Sequence, residues 1–290
     1  MSSSTSEMEE PVIYNGSRGT DFQYLLRKIL KNAKIKNHYI DILLNEDGWK
    51  QYDVAFTAKS ANETDNYEVY EQLGDLSANK FIVSYMYKKF PKLKCSECVK
   101  IVARLRILYG SKQTFCVIAE NLGFWPFISA SEEQRNTEKK KLLEDTFEAF
   151  IGITELMIDE KIRQNVGYAI VYEILHSVFE TVNISLKYED LYDAKTRLKE
   201  LFDLYNKGGE TSFGKLEYEE TKDLESRLTT SYVYQKYSPS YRVLLGQGVA
   251  SLKADAQQRA ASAGIYNLNN RGYMKQVPPI YISLCNEYMR

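Results

Sequence analysis

The sequence predicts an α+β protein in which an all-helical domain is followed by a small domain with the element order α-β-β-β-α. From about residue 21 to residue 186, apolar residues recur at three- and four-residue spacing, and Gly and Pro fall mainly between such segments. This pattern is typical of helices. After Tyr188 the chain contains short stretches rich in Tyr, Thr, Val and Leu, which favour strands. A chain of 290 residues is long enough to bury both cores.

Five to seven helices and no strand are expected in the first domain. One of these helices should end before Pro91, because proline disfavours helix in the residue that precedes it. The clearest helical segments are residues 22–30, 67–90, 99–108, 139–157 and 159–182.

The second domain is expected to begin with an amphipathic helix and to continue, after a break at Gly208 and Gly209, as three strands. A break at residues 246–248, Gly-Gln-Gly, should then lead into an alanine-rich closing helix. The opening helix covers residues 191–205, the strands cover 215–221, 228–237 and 241–245, and the closing helix covers 252–268. The predicted bounds are therefore a disordered tail at 1–19, the helical domain at 20–188, the α-β-β-β-α domain at 189–270 and a tail without assigned structure at 271–290.

The composition is that of a soluble globular protein, with 44% hydrophobic and 27% charged residues. The first ten residues lack the basic start and the apolar stretch of a secretory signal. No run reaches the roughly 18 apolar residues that a membrane-spanning helix needs. We therefore expect an intracellular protein without a membrane partner, in the cytoplasm or nucleus, or in a viral factory if the protein is viral.

Charge is distributed unevenly along the chain. Residues 1–190 carry a net charge of −4, whereas residues 191–290 carry +3. An acidic first part and a mildly basic second part suit a metal-binding catalytic domain joined to a module that meets phosphate.

Four cysteines in a chain of this length do not form a disulfide framework. Cys95 and Cys98 form a CxxC pair, but a zinc site would need a second pair of ligands. Free thiols beside a helix start are the favoured interpretation, and zinc is the alternative.

Two pairs of acidic residues stand at helical spacing among apolar neighbours. Glu71 and Asp75 are four residues apart, and Asp145 and Glu148 are three apart, so each pair shares one helix face. Partly desolvated carboxylates need a cation, and oxygen-only sites suit Mg²⁺ and Mn²⁺, the ions of phosphodiester hydrolysis. Spacing alone leaves open the alternative that each pair is a solvated helix face.

A glycine accompanies each acidic pair. Gly74 directly precedes Asp75, and Gly152 follows Glu148 by one helical turn. Because glycine inside a helix costs about 1 kcal/mol relative to alanine, it tends to mark close approach by another segment. We therefore expect two helices that cross tightly and pool their carboxylates.

At these positions the sequence resembles the ribonuclease III family. Residues 67–75 (YEVYEQLGD) resemble the family segment NERLEFLGD, and residues 144–152 (EDTFEAFIG) are similar to its AD-x-FEA-x-IG segment. Three shorter matches follow the family order at residues 55–60, which are similar to ALTHRS, and at 87–91 and 121–123. The matches together cover about residues 22–185.

The resemblance implies an all-helical endonuclease domain that uses Mg²⁺, or Mn²⁺ in its place, to hydrolyse double-stranded RNA and leave short 3′ overhangs. Two such domains usually pair, so a homodimer is expected, and a nucleotide cofactor is not. By this resemblance Asp75 and Glu148 are the catalytic acids and Glu68 is an auxiliary acid. The metal ligands would be Glu71, Asp75, Asp145 and Glu148.

The second domain resembles a double-stranded-RNA-binding domain. Residues 193–201 (DAKTRLKEL) resemble its opening helix, and residues 252–261 fall where it carries SKKxAExxAA, a helix whose N-terminal lysines meet phosphates. RNA contacts would carry over to Thr196, Glu200 and Lys253.

Some positions depart from the family pattern. Gln72 stands where bacterial relatives have an aromatic residue that enters the partner subunit, so the dimer can form differently. The chain is a few residues longer than usual after Pro91, which leaves Glu97 as only a candidate for the auxiliary glutamate. In the second domain the GPxH loop is not recognisable near residues 223–229 and one basic position is Ala254. RNA binding there can therefore be weak, or the module can mainly support the dimer.

Two hypotheses remain after the resemblance is taken into account. One is an active endoribonuclease, and the other is a catalytically inactive ribonuclease III-like RNA-binding scaffold. Such scaffolds typically lose one or more of the acids, whereas all four are present here. A purely structural helical protein would leave the ordered matches unexplained.

Overall fold

A computed structural model describes residues 11–207 and 213–289. The chain divides into two compact units, Met1–Ile184 and Ser185–Arg290. The first ten residues of the predicted tail and the predicted break at Gly208 and Gly209 lie outside the described residues.

The first unit is built from helices, as the sequence predicts. Each of the five predicted segments contains helix, and additional helices fill the intervals between them. Within the described residues of this unit the α-helices are α1 (Thr20–Asn32), α2 (Asn37–Leu43), α3 (Glu46–Ala55), α4 (Glu68–Lys89), α5 (Val99–Tyr109), α6 (Lys112–Leu122), α7 (Glu132–Thr137), α8 (Lys139–Lys161) and α9 (Gly167–Phe179).

The prediction of a helix from residue 159 onward is wrong at its start. Helix α8 continues to Lys161, and a turn separates it from α9. The Asp159 carboxylate accepts a hydrogen bond of 2.6 Å from the backbone N–H of Gly167, and Asn165 has a positive φ of 70°. A side chain that caps a turn in this way leaves no periodic signal in the sequence.

Within residues 11–19 the prediction of a disordered tail is also wrong, and so is the prediction of no strand in this unit. Strand β1 (Ile13–Tyr14) pairs antiparallel with β2 (Ala130–Ser131). The Arg18 guanidinium anchors this segment, since it donates 2.5 Å to Asp53 and 3.3 Å to the carbonyl oxygen of Phe56. A strand of two residues is too short to show alternation.

Helix α8 is the centre of the first unit. Its residues are buried on every side from Asp145 to Thr154, as expected of a helix at the centre of a core. Helix α4 crosses it, and α3, α6 and α9 pack around it. The two helices that carry the acidic pairs are therefore the two at the core.

The second unit has the predicted α-β-β-β-α order, with additional short helices at its two ends. Its sheet is antiparallel in the order β3-β4-β5, and the long helix that follows packs on β4 and β5. The elements are α10 (Tyr188–Leu191), α11 (Ala194–Asn206), β3 (Lys215–Lys222), β4 (Thr229–Ser238), β5 (Tyr241–Ala250), α12 (Lys253–Asn270) and α13 (Pro279–Tyr288).

Strand β5 does not end at residue 245 as predicted, because the glycines expected to break it belong to it. A Cβ atom on Gly246 would lie 2.4 Å from the carbonyl oxygen of Ala260, and one on Gly248 would lie 2.4 Å from that of Ala256. The glycines therefore let α12 approach the strand closely.

The C-terminal segment, left without assigned structure from the sequence, ends in helix α13. Tyr281 and Leu284 of this helix are buried, and the Tyr281 hydroxyl donates 3.1 Å to the hydroxyl of Tyr192. The segment is thus part of the second unit. Among the residues that the structure describes, none of the helices combines the length and apolarity needed to cross a membrane.

Candidate active site

The two acidic segments meet where α4 crosses α8. A Cβ atom on Gly74 would lie 1.7 Å from the carbonyl oxygen of Glu148, and one on Gly152 would lie 2.1 Å from that of Tyr70. Each helix therefore presents a glycine to the backbone of the other, and the tight crossing expected from the sequence is present.

This crossing gathers the four predicted metal ligands. Asp145 and Glu148 on α8 are only 3% and 6% exposed, whereas Glu71 and Asp75 on α4 are half-buried. Carboxylates buried this deeply are rare unless they are paired or bind a cation.

Hydrogen bonds orient two of the four carboxylates. The Tyr67 hydroxyl donates 3.0 Å to Oδ2 of Asp145. The side-chain amide of Asn79 donates 2.6 Å to Oδ1 of Asp75, and Arg106 in turn donates 3.1 Å to the amide oxygen of Asn79. Each carboxylate is thus held by a neighbour outside the acidic pairs.

The buried carboxyl groups favour their protonated forms. Burial raises the pKa of Glu148 to about 9, and the charges of Asp75, Glu144 and Glu71 add to the effect. Burial also raises the pKa of Asp145 to about 7, with Glu71 adding to it and the Tyr67 hydrogen bond opposing it. The pKa of Glu71 is raised as well, again chiefly by burial. A bound cation would reverse these shifts, because it favours the charged form.

An open cleft of about 580 Å³ gives access to part of this cluster. Its lining combines carboxylates, two lysines and neutral polar groups, so the cleft presents both oxygen ligands for a cation and ammonium groups for a phosphate. The lining residues are Lys59, Ser60, Ala61, Glu63, Tyr67, Glu68, Glu71, Gln134, Lys141 and Asp145.

The donor set suits a hard divalent cation. As the side chains stand, no three His, Cys, Asp or Glu side chains of residues 11–207 and 213–289 converge closely enough to hold a metal ion. The two buried carboxylates nonetheless carry raised pKa values beside two further carboxylates, which is the electrostatic situation that oxygen coordination to Mg²⁺ or Mn²⁺ relieves. The four cysteines are unpaired thiols.

The two remaining acidic candidates, Glu68 and Glu97, differ in their position relative to the cleft. Glu68 lines the cleft, is exposed, and lies 3.4 Å from the Lys59 ammonium. Glu97 lies in a short 3-10 turn, Ser96–Cys98, and is not among the cleft-lining residues.

In the second unit, all three predicted RNA contacts have partners within the unit. Thr196 donates 2.7 Å to Asp193, and Lys253 lies 3.1 Å from Glu220. Glu200 accepts hydrogen bonds from Lys275, at 2.5 Å, and from the Tyr188 hydroxyl. Glu200 is thus tied to the C-terminal segment.

Sequence reasoning missed several residues that surround the acids. Lys141 lines the cleft and lowers the pKa of Glu71 and Asp145 by its charge, and a lysine one turn before Asp145 was the available signal. Tyr67 occupies the first position of the matched acidic segment, but its bond spans 78 residues of sequence. The partner of a long-range contact cannot be deduced from local spacing.

A helical unit with clustered carboxylates, followed in the chain by an α-β-β-β-α unit, is the arrangement expected of a ribonuclease III-type nuclease. The Ribonuclease III domain matches residues 68–157 of the chain. A candidate ribonuclease 3 of Invertebrate iridescent virus 6 is 40% identical, over 92% of this chain and 94% of that protein. The chain belongs to the ribonuclease III family and is an endoribonuclease of that class.

Two further similarities are found. A candidate ribonuclease 3 of Frog virus 3 is 35% identical, over 83% of this chain and 62% of that protein. The nuclease domain of ribonuclease III from Campylobacter jejuni is 23% identical, with a TM-score of 0.40, over 53% of this chain and 99% of that one.

Proposed function

We propose that this chain is a Mg²⁺-dependent endoribonuclease that cuts both strands of double-stranded RNA and leaves short 3′ overhangs, with Mn²⁺ able to replace Mg²⁺. The observation that carries the proposal is the pair of buried carboxylates, Asp145 and Glu148, facing Glu71 and Asp75 across a glycine-mediated helix crossing. Family membership supplies the reaction class.

The four carboxylates would hold the metal. When bound, Mg²⁺ activates water and stabilises the departing oxygen of the phosphodiester. Tyr67 fixes the orientation of Asp145 by its hydrogen bond, and Asn79 fixes that of Asp75. Asp75 and Glu148 are the proposed catalytic acids, and Glu68 is the auxiliary acid at the rim of the cleft.

The lysines of the cleft suit the backbone of an RNA strand. Lys59 and Lys141 line the same cleft as Glu71 and Asp145. Phosphates on either side of the scissile bond could be bound by these ammonium groups while the carboxylates act on the bond itself.

The second unit is proposed to act as a double-stranded-RNA-binding domain, with Thr196 and Lys253 as its contacts. Its element order supports this role. Because Glu200 is bonded to Lys275 and Tyr188, we propose that it supports the fold of this unit rather than binding RNA.

The proposed active form is a homodimer. Helix α4 exposes Val69, Leu73 and Leu76, at 69%, 41% and 68%, and their spacing places them on one face. By the same spacing Glu71 and Asp75 lie on the opposite face, so pairing through the stripe would leave the acids free. With two viral relatives, the proposed place of action is the cytoplasm or viral factory of an infected cell.

The test is cleavage of a long double-stranded RNA by the purified full chain. We expect short products in Mg²⁺ or Mn²⁺, and none in EDTA. Glu148→Gln should abolish cutting and retain RNA binding, whereas Glu160→Gln, an exposed residue of the same helix, should cut normally. Binding without cutting by the wild type in either metal would favour the scaffold hypothesis instead.

A further inference from the structure

Lys112 and Glu144 form an ion pair beside the carboxylate cluster. Nζ of Lys112, the first residue of α6, lies 2.8 Å from Oε2 of Glu144 on α8. The Glu144 side chain is 15% exposed, and it directly precedes Asp145 in the chain. Its Oε2 atom is buried, and the Lys112 ammonium group is the hydrogen-bonded contact that balances its charge.

The charge of Lys112 reaches beyond its partner. It acts on Asp145 and Glu148 as well as on Glu144, and it acts on Glu71 from the other helix. At the short separations of such a cluster, a single positive charge offsets repulsion among several carboxylates at once.

Lys112 differs in placement from Lys141, a second lysine whose charge acts on the cluster. Lys141 lines the open cleft, whereas Lys112 is not among the cleft-lining residues. The Lys112 side chain is 50% exposed, but its ammonium group contacts a carboxylate beside the cluster instead of lining the cleft, so its charge acts on the carboxylates themselves.

We propose that Lys112 is a positioning residue, a resident counter-ion that holds Glu144 and the neighbouring carboxylates in place before a divalent cation binds. This inference rests on the proposed Mg²⁺ site. It predicts that the cluster tolerates the absence of metal because part of the missing positive charge is supplied by the chain, and that the same charge weakens metal binding by repelling the incoming ion.

If its role were only structural, the ion pair would do no more than hold α6 against α8. A second ion pair between the same two helices serves as a control for that role. Lys139 and Glu120 join the same two helices at 2.6 Å, with side chains 45% and 52% exposed. Neither residue is among the groups whose charges act on Glu71, whereas Lys112 is. Lys139→Met therefore removes an ion pair between α6 and α8 without changing the charge near the carboxylate cluster.

The experiment compares the full-length wild type with Lys112→Met, Lys112→Arg and Lys139→Met. The melting temperature is measured in EDTA, and Mg²⁺ and Mn²⁺ affinity is measured by calorimetry. Lys112→Met should lower the melting temperature in EDTA more than Lys139→Met does, and should tighten metal binding by about threefold or more, because one repelling charge is gone. Lys112→Arg keeps the positive charge, so its melting temperature in EDTA and its metal affinity should both stay close to those of the wild type.

A double-mutant cycle with Glu144→Gln tests whether Lys112 stabilises the protein through the charge of Glu144. Once Glu144 is neutral, Lys112→Met should shift the melting temperature less than it does in the wild type. If Lys112→Met folds only in Mg²⁺, the proposal is supported, since the metal then replaces the missing charge.

The proposal is overturned if Lys112→Met and Lys139→Met lose equal stability in EDTA, or if Lys112→Met leaves metal affinity unchanged or weakens it. Absence of any metal binding by the wild type would instead refute the proposed Mg²⁺ site. The comparison in EDTA would still decide whether Lys112 balances the cluster, so the two failures are distinguishable.

Discussion

The backbone of Glu148 occupies the space that a side chain on Gly74 would need. A Cβ atom at Gly74 would lie 1.7 Å from the carbonyl oxygen of Glu148 and 3.0 Å from its Cα atom. The carbonyl group belongs to a buried helix at the centre of the unit and cannot move aside without displacing the helix. The helix crossing and the position of the Glu148 carboxylate therefore depend on the same glycine.

Replacement of Gly74 by alanine should force α4 and α8 apart. We expect a loss of about 3 kcal/mol in the free energy of unfolding, at the upper end of the usual cost of overpacking, together with loss of RNA cleavage. Urea denaturation measures the first and an RNA cleavage assay the second. Gly19→Ala is the matched control, because the nearest atom to a Cβ there lies 4.0 Å away. Equal stability of the two variants would contradict the crossing geometry.

The long helices and the acidic pairs could be predicted from the sequence, because both depend on the spacing of residues that are close together in the chain. Helices α4 and α8 follow apolar periodicity, and Gly74 signals the crossing before any contact is known. The turn at Asp159 and the two-residue strand β1 were missed, since one depends on a single side-chain cap and the other is too short for a pattern.

Residues that act on the acids from a distance could not be predicted. Tyr67 reaches Asp145 across 78 positions, and Lys112 reaches Glu144 across the packing of two helices. Neither contact follows from the spacing of the residues that make it, because only the tertiary fold brings them together.

The protein should become less stable in EDTA as the pH rises. Burial raises the pKa of Glu148 from 4.5 to about 9 and that of Asp145 from 3.8 to about 7. The folded protein thus retains protons that the unfolded chain releases, so stability is lost between the unfolded and folded pKa values, by up to about 1.4 kcal/mol per pH unit for each group. Melting temperatures in EDTA from about pH 5 to about pH 9 should therefore fall.

Metal should oppose this loss. The ligands must be deprotonated to bind, so the stabilisation by Mg²⁺ should grow with pH. Glu148→Gln removes the group with the larger shift and should flatten the profile in EDTA. A melting temperature that rises with pH in EDTA would show that these carboxyl groups are not protonated in the fold.

Glu200 should matter for stability more than for RNA binding. Its carboxylate accepts hydrogen bonds from Lys275 and Tyr188, and its side chain is 31% exposed. Glu200→Gln should cost about 1 kcal/mol of unfolding free energy, at the upper end for a partly exposed pair, while RNA affinity stays within about threefold, or less than 1 kcal/mol. Lys253→Ala is the comparison that should weaken RNA binding. If Glu200→Gln lowers RNA affinity and leaves stability unchanged, Glu200 is an RNA contact, as the sequence predicted, and does not mainly support the fold.

The exposed stripe on α4 should hold two copies together. Leu76 is 68% exposed beside Val69 and Leu73, and burial of such side chains contributes about 1.5–3 kcal/mol each. An arginine at position 76 would remove this contribution in both copies and introduce two positive charges into an apolar surface. We therefore expect Leu76→Arg to shift a dimer to monomers and to weaken association by about tenfold or more, measured by light scattering during gel filtration.

The stripe also lies on the helix face opposite Glu71 and Asp75, so the same variant should leave metal binding intact while it reduces paired cutting of the two RNA strands. Leu224→Arg is the control, because Leu224 is 84% exposed in the loop between β3 and β4, and a charge there should change neither property. If Leu76→Arg remains dimeric at the concentrations at which the wild type is dimeric, the interface lies elsewhere. Since Gln72 replaces the aromatic residue expected beside this stripe, association would then have to rest on residues outside α4.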